Sequence, residues 1–451
     1  MRLRTTISAT IDEFGLDHEW FFGGENRTAR SSVSCYFAAT FDCLLLNPLK
    51  VRQLFACSAR CIGLKFQLIS SSRIRWLFSQ SFWYLLACFV RFPSTIEANP
   101  QRQLMSSVTH DWVHDARSAI KESPVDFFEI DAKKYWFDFL LCVACAYASL
   151  TVFLTCTMAG HPLLKLAAFP FSIFWLYRCS SMVHEVSHLH EKQLVGFKVA
   201  WNVLLGIPVL FPSTFFTAHH RDHHTGRYYG TPQDPEYAMN YFNPETLGGI
   251  LFYVGLLAIY PVLVLCRFLF APISWLRPDW REFALSRMSS FTLNWSYERN
   301  TSRLDRKWFF VVELACCLRA WLIPIGVISG VAHWSRVPQM YLIAITILVC
   351  NQMRFLADHH FESEGHQMSM SDHILDSCNY SKNDFLTWLF FPFTIRFHAL
   401  HHLFPTIPYH NLPAAHAYLS DKLPSANAYH GLDRPGWWHT AKQNLGLSRA
   451  A

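Results

Sequence analysis

Charge is what this sequence has little of. Asp, Glu, Lys and Arg make up 16% of its 451 residues, where a soluble protein of this size carries about a quarter. With 51% hydrophobic residues and a positive mean hydropathy, a membrane protein is expected before any motif is read. The net charge of +6 is spread along the chain. It suits loops facing anionic lipid and not a nucleic-acid binder, which gathers its basic residues into a stripe. The first residues are not expected to form a signal peptide, because Asp12, Glu13, Asp17 and Glu19 stand where its apolar core would begin. No repeat of fixed period and no low-complexity tract occurs. The 14 cysteines are scattered, and Cys142, Cys145, Cys156, Cys266, Cys316, Cys317 and Cys350 lie within apolar runs. They read as small hydrophobes, so neither a disulfide framework nor a thiolate metal site is expected.

Composition breaks near residue 105. Residues 1–104 are rich in Arg, Ser and Cys, and their best apolar run, Phe82 to Val90, falls short of the about 20 residues needed to cross a bilayer. They read as a poorly ordered extension of doubtful function, followed by a membrane domain over 105–451. Four spans are expected there: Trp136–Met158 and Leu163–Tyr177 as one hairpin, Phe309–Trp334 and Met340–Ala357 as a second. Leu194–Phe216 and Gly249–Leu276, interrupted by prolines and basic residues, read as interfacial or re-entrant helices. The loop from Arg277 to Lys307 also carries Arg281, Arg287, Arg299, Arg303 and Arg306, which assigns the large loops to the cytoplasm.

What the chain does have is histidine: 23 residues, many of them in three short clusters. His184-Glu185-Val186-Ser187-His188 sets two imidazoles one helical turn apart, near enough to share a metal. It also matches HExxH, the zinc-protease pattern with Glu185 as general base. In His219-His220-Arg221-Asp222-His223-His224, the last three histidines stand at i, i+3 and i+4 and can point one way. His398-Ala399-Leu400-His401-His402 repeats that spacing.

One HxxxH box and two HxxHH boxes in a four-span protein resemble the membrane fatty acid desaturase and hydroxylase family, in its bacterial-type members. The flanks agree: His224-Thr225-Gly226 leads into Gly230-Thr231-Pro232-Gln233-Asp234-Pro235-Glu236, and box three sits in Arg396-Phe397…Leu403-Phe404-Pro405, followed by Pro408-Tyr409-His410-Asn411-Leu412. The resemblance covers roughly residues 130–425. It implies one further ligand, His359, in the stretch Asn351 to His359; the adjacent His360 departs from the family pattern. His190 and His219 are extra to the boxes.

The candidate ligands are therefore His184, His188, His220, His223, His224, His359, His398, His401 and His402. Imidazole suits iron, and nine ligands are enough for two metals, whereas a zinc protease uses three. The resemblance implies two irons per chain and oxygen-dependent desaturation of an acyl lipid. A lipid or carotenoid hydroxylase or ketolase on the same scaffold is the alternative, and a membrane zinc metalloprotease a more distant one. No haem motif of the HPGG type, Gly-rich dinucleotide fingerprint or ferredoxin cysteine run is present, so electrons are expected from a separate carrier such as ferredoxin, or cytochrome b5 with its reductase. All boxes must lie on one side of the membrane, so an even number of crossings must separate them, and Gly249–Leu276 should not cross. Glu185, Asp222, Asp376 and Asn379 are candidates for orienting the imidazoles, with Asp234 and Glu236 as loop residues that close the site or bind a basic partner. An apolar tunnel between the spans should lead to the metals.

Overall fold

A computed structural model describes residues 111–190 and 192–447, within one compact unit, Phe92–Ala451. The extension expected over residues 1–104 lies outside the described residues. Among the described residues the fold is all-helical, as expected, with only isolated bridges such as His359 to Ser377.

After α1 (Trp112–Lys121), the long helix α2 (Ala132–Thr155) starts where Asp131 accepts the amides of Lys133 and Lys134, satisfying donors that a helix start leaves open. α3 (Pro162–Ser181) opens on a proline at its first position, where a missing N–H costs nothing. Its Lys165 turns back to donate to Phe153 O at 2.5 Å and Cys156 O at 3.0 Å, closing the carbonyl end of α2. These two helices pack along their lengths as the expected first hairpin. α3 passes almost without a break into α4 (Val183–His188), so the apolar segment runs from Pro162 to His188. Cys142 and Cys145 have the C-x-x-C spacing, yet both are free thiols on α2.

The next stretch forms α5 (Phe197–Trp201), a π turn (Asn202–Gly206) and α6 (Ser213–His223). Then follow α7 (Leu247–Leu269), α8 (Ala271–Trp275), α9 (Pro278–Arg287), α10 (Arg306–Ile328) and α11 (Arg336–Asp358). The remainder folds over the site-side helix ends as α12 (Met370–Leu375), α13 (Phe385–Phe390), α14 (His398–Leu403), α15 (Leu412–Lys422) and α16 (Trp437–Asn444).

The structure differs from expectation in two respects. α10 and α11 do not form a close hairpin like the first: α7 packs against both, and α11 packs on α3. And α7 is unbroken despite Pro261, so among the described residues five helices, not four, are long and apolar enough to cross a membrane by length and composition. The polar interruptions within these apolar runs have partners. Glu313 of α10 is fully buried and bonds Arg267 of α7 at 2.5 Å, Arg281 of α9 at 2.6 Å and the indole of Trp275 at 3.1 Å. A buried carboxylate held by two guanidiniums is tolerable only because each is paired.

Candidate metal centre

Each histidine box is a short helix or helix end, and all of them meet. α4 presents His184 and His188, α6 ends on His220, His223 and His224, His359 is the residue after α11, and α14 opens on His398. The nine candidate imidazoles form two groups. One contains His184, His188, His220, His224 and His401, the other His223, His359, His398 and His402. Within each group the ligand nitrogens all lie within 4.8 Å of one another. The three histidines of box two do not act together as their spacing suggested. His220 and His224, a full turn apart, join the first group, and His223 turns to the second. Box three divides likewise, with His401 in the first group and His398 and His402 in the second.

The inward atom is Nε2. It stands 3.0 Å away between His188 and His220, 3.2 Å between His220 and His224, and 3.2 Å between His224 and His401. In the second group the spacings are 3.2 Å for His223–His359, 3.1 Å for His359–His398 and 3.0 Å for His398–His402. Three of the outward Nδ1 atoms meet oxygen acceptors: Glu236 at 2.8 Å from His220, Asp234 at 2.8 Å from His223, and Tyr229 Oη at 2.8 Å from His359. Tyr229 donates its one proton to Asp376 at 2.8 Å, so it accepts from His359. An imidazole that donates at Nδ1 has a bare lone pair at Nε2. His223 and His359 thus face each other through two lone pairs, and the Nε2 of His184 is buried with no partner. A cation between them resolves this. Imidazole nitrogens about 2.0–2.1 Å from a common metal stand about 2.9 Å apart at right angles and about 3.4 Å apart at tetrahedral angles. The observed spacings fall between those limits, so the donor set fits a metal in each group. Burial also pushes His220, His224, His359, His398, His401 and His402 well below the usual imidazole range, which keeps them in the neutral, ligating form.

Residues outside the groups are equally informative. His360 stands beside Cys378 at 3.4 Å, His219 bonds Phe215 O at 3.0 Å, and His190 is exposed. Asp222 accepts from Tyr297 at 2.7 Å rather than from a box histidine, and Asn379 holds the backbone of Leu400 at 3.1 Å. Asp234 and Glu236, read from sequence as loop closers, are the carboxylates that orient His223 and His220. Glu185 does not face the lone pairs, as a zinc-protease base would. Its carboxylate lies on the Nδ1 side of His184, at 3.2 Å. Sequence reasoning missed Tyr229 and His373. Buried His373 meets His402 Nδ1 at 2.7 Å and stacks on Tyr229 with ring centres 3.5 Å apart. The one local hint was another histidine three residues before Asp376.

The sequence model of the fatty acid desaturase family matches residues 160–433. The chain is 33% identical over 312 residues to a ceramide hydroxylase of Caulobacter vibrioides (strain NA1000 / CB15N), an alignment that covers 69% of this chain and 88% of that protein. No solved structure matches. A family model that spans more than half of the chain, with a hydroxylase relative along most of its length, makes this protein an oxidoreductase of the lipid desaturase and hydroxylase type: the chain belongs to the fatty acid desaturase family.

Proposed function

We propose that the protein oxidises an unactivated C–H bond of a membrane lipid at two histidine-held irons, with dioxygen as oxidant. The observation that carries this reading is the gathering of nine imidazole nitrogens into two adjacent groups with bare lone pairs inward. Bound there, two irons would supply the activation of dioxygen that a C–H bond of this strength requires. The protein's own part is to hold and shield. His184, His188, His220, His224 and His401 would ligate one iron, and His223, His359, His398 and His402 the other. Glu236, Asp234 and Tyr229 fix the Nδ1 protons of His220, His223 and His359, so that these three lone pairs point inward. Seven of the nine histidines are buried and only His188 and His224 are partly exposed, which limits the access of water.

The family and the relative support two outcomes. Hydroxylation of a ceramide-class lipid is favoured by the ceramide hydroxylase that aligns along most of its length. Desaturation of an acyl lipid, expected from the boxes, is favoured by the family match. Both begin with removal of a hydrogen. Lipid profiling of a host expressing the protein separates them: a hydroxylase product gains one oxygen atom, and a desaturase product loses two hydrogens. A profile that no box-histidine substitution alters excludes both. Electrons come from a separate carrier such as ferredoxin or cytochrome b5, which reconstitution with each carrier tests. We assign the activity to residues 105–451; loss of product from an inserted chain starting at Met105 would contradict that assignment.

The topology we favour has four crossings, with the cluster on the cytoplasmic side next to the basic loop. Between His224 and His359 lie three helices of spanning length, α7, α10 and α11. Both histidines serve one cluster, so an even number of these helices cross. α7 is the one whose two ends both reach segments near the ligands. Tyr253 bonds Gln352 at 2.8 Å close to the end of α11, and Arg267 lies over Phe215, just before box two. Cysteine accessibility at Leu247 and Phe270, exposed at the two ends of α7, tests this: a crossing α7 is labelled from opposite sides at the two positions, and a non-crossing one from the same side at both.

A further inference from the structure

Neither the glutamate of the HExxH box nor the Pro408-Tyr409-His410-Asn411-Leu412 segment contributes a candidate metal ligand. They meet each other. Glu185 Oε2 accepts the phenol of Tyr135 at 2.7 Å and the backbone N–H of Tyr409 at 3.1 Å. With both donors on Oε2, Oε1 is left turned to His184 Nδ1 at 3.2 Å. Tyr135 stands in the first turn of α2 and is 1% exposed, with its ring edge-on to that of Tyr409 at 4.9 Å. Tyr409 is held in turn, since its own hydroxyl donates to Asp138 Oδ2 at 2.5 Å.

We infer that Tyr135 and the backbone of Tyr409 are positioning groups for the five-histidine site, acting on His184 through Glu185. The inference rests on the di-iron reading. A carboxylate fixed by two donors accepts the Nδ1 proton of His184, which leaves Nε2 bare and aimed at the metal. His184 is the ligand that needs this most. Its Nε2 has no partner in the cluster, whereas the other inward nitrogens of its group are spaced by direct neighbours. The clasp also joins segments far apart in the chain, α2, box one and the stretch after box three, so the site closes only when the membrane hairpin and the C-terminal cap are both in place. Glu185 in this arrangement is an anchor for a ligand and takes no proton from substrate.

The test is anaerobic ferrous-iron titration of the full-length, metal-free protein in mild detergent, with Mössbauer spectra of the loaded forms. Tyr135→Phe keeps the ring and removes only the hydroxyl. It should weaken one of the two iron equivalents about 10- to 100-fold and leave the other unchanged, with an altered spectrum for that iron. Glu185→Gln should weaken the same equivalent further, because its one amide oxygen cannot serve both sides: facing Tyr135 and Tyr409 it turns N–H2 toward His184 Nδ1, and facing His184 it turns N–H2 toward the two donors. Tyr147→Phe is the control. It lies on the same helix and loses a bond of the same kind, to Leu204 O at 2.7 Å, and should titrate as wild type. Wild-type binding in both Tyr135→Phe and Glu185→Gln overturns the inference alone, as does equal weakening by Tyr147→Phe. A wild-type protein that takes up no second iron overturns the di-iron reading and the inference with it.

Discussion

Replacing Asp234 by Asn changes almost no volume but cannot satisfy the site. Asp234 is fully buried; Oδ1 accepts from His223 Nδ1 at 2.8 Å and the Glu236 amide at 3.0 Å, and Oδ2 accepts from the Gly230 amide at 2.9 Å. Asn has one acceptor oxygen and one donor nitrogen, so either orientation turns N–H2 toward a buried donor. If it faces Gly230, one amide loses its partner. If it faces His223, the imidazole must move its proton to Nε2, where it cannot ligate and points at His359 Nε2, 3.2 Å away. Leaving one buried group unsatisfied costs about 1–3 kcal/mol, which at 1.4 kcal/mol per tenfold corresponds to about a 5- to 100-fold loss of affinity. The variant should therefore bind iron at the four-histidine group that much more weakly, while the five-histidine group, which Asp234 reaches only through the Glu236 amide, is affected less. Stepwise ferrous titration reads this, and product formation should fall in parallel unless iron is supplied in excess. If both iron equivalents bind as in the wild type, the argument from fixed imidazole protons is wrong.

His373→Phe should act on the same group through His402, lowering iron occupancy at one equivalent about 10-fold or more, while His373→Gln, which retains an acceptor, should lose less; equal iron content in both variants would contradict this. Glu313→Ala strands Arg267 and Arg281 in an apolar setting, and breaking a buried ion pair costs about 3–5 kcal/mol, so thermal unfolding in detergent should occur at a clearly lower temperature with the iron ligands intact; an unchanged midpoint would refute it. Burial raises the Glu236 carboxyl from its ordinary 4.5 to about 7. A raised acid favours the folded state while protonated, so the metal-free wild type should lose stability relative to Glu236→Gln as pH rises from about 4.5 through about 7. A pH-independent difference between the two would show that this carboxyl does not titrate in that window.

The site was more legible in the sequence than the membrane architecture. Every histidine named from the boxes, and His359 from the family resemblance, joins one of the two groups, because helical spacing fixes which imidazoles can converge. The division of each HxxHH box between two groups was not legible, since i+3 and i+4 flank the face of i on opposite sides and only the opposing helices decide which of them joins i. Tyr229 and His373 reach the ligands from segments far along the chain, and apart from the nearby Asp376, itself a candidate in the sequence, no local pattern marks such contacts. The reverse held for Asp234 and Glu236, where the pattern was visible and their target was not. α7 illustrates the limit of hydropathy: its length and composition permit a crossing, and what argues against one is the parity imposed by the joined boxes together with the contacts at its two ends. Arg267 and Glu313 looked like interruptions in apolar runs because each one's partner lies on a different helix.

The metal content of full-length protein prepared anaerobically in mild detergent decides whether the nine histidines hold two irons. It should contain two irons per chain, falling toward one when a ligand of a single group is replaced, as in His359→Ala or His188→Ala. A single metal per chain in active protein, or stoichiometric zinc that sustains lipid oxidation, would contradict it.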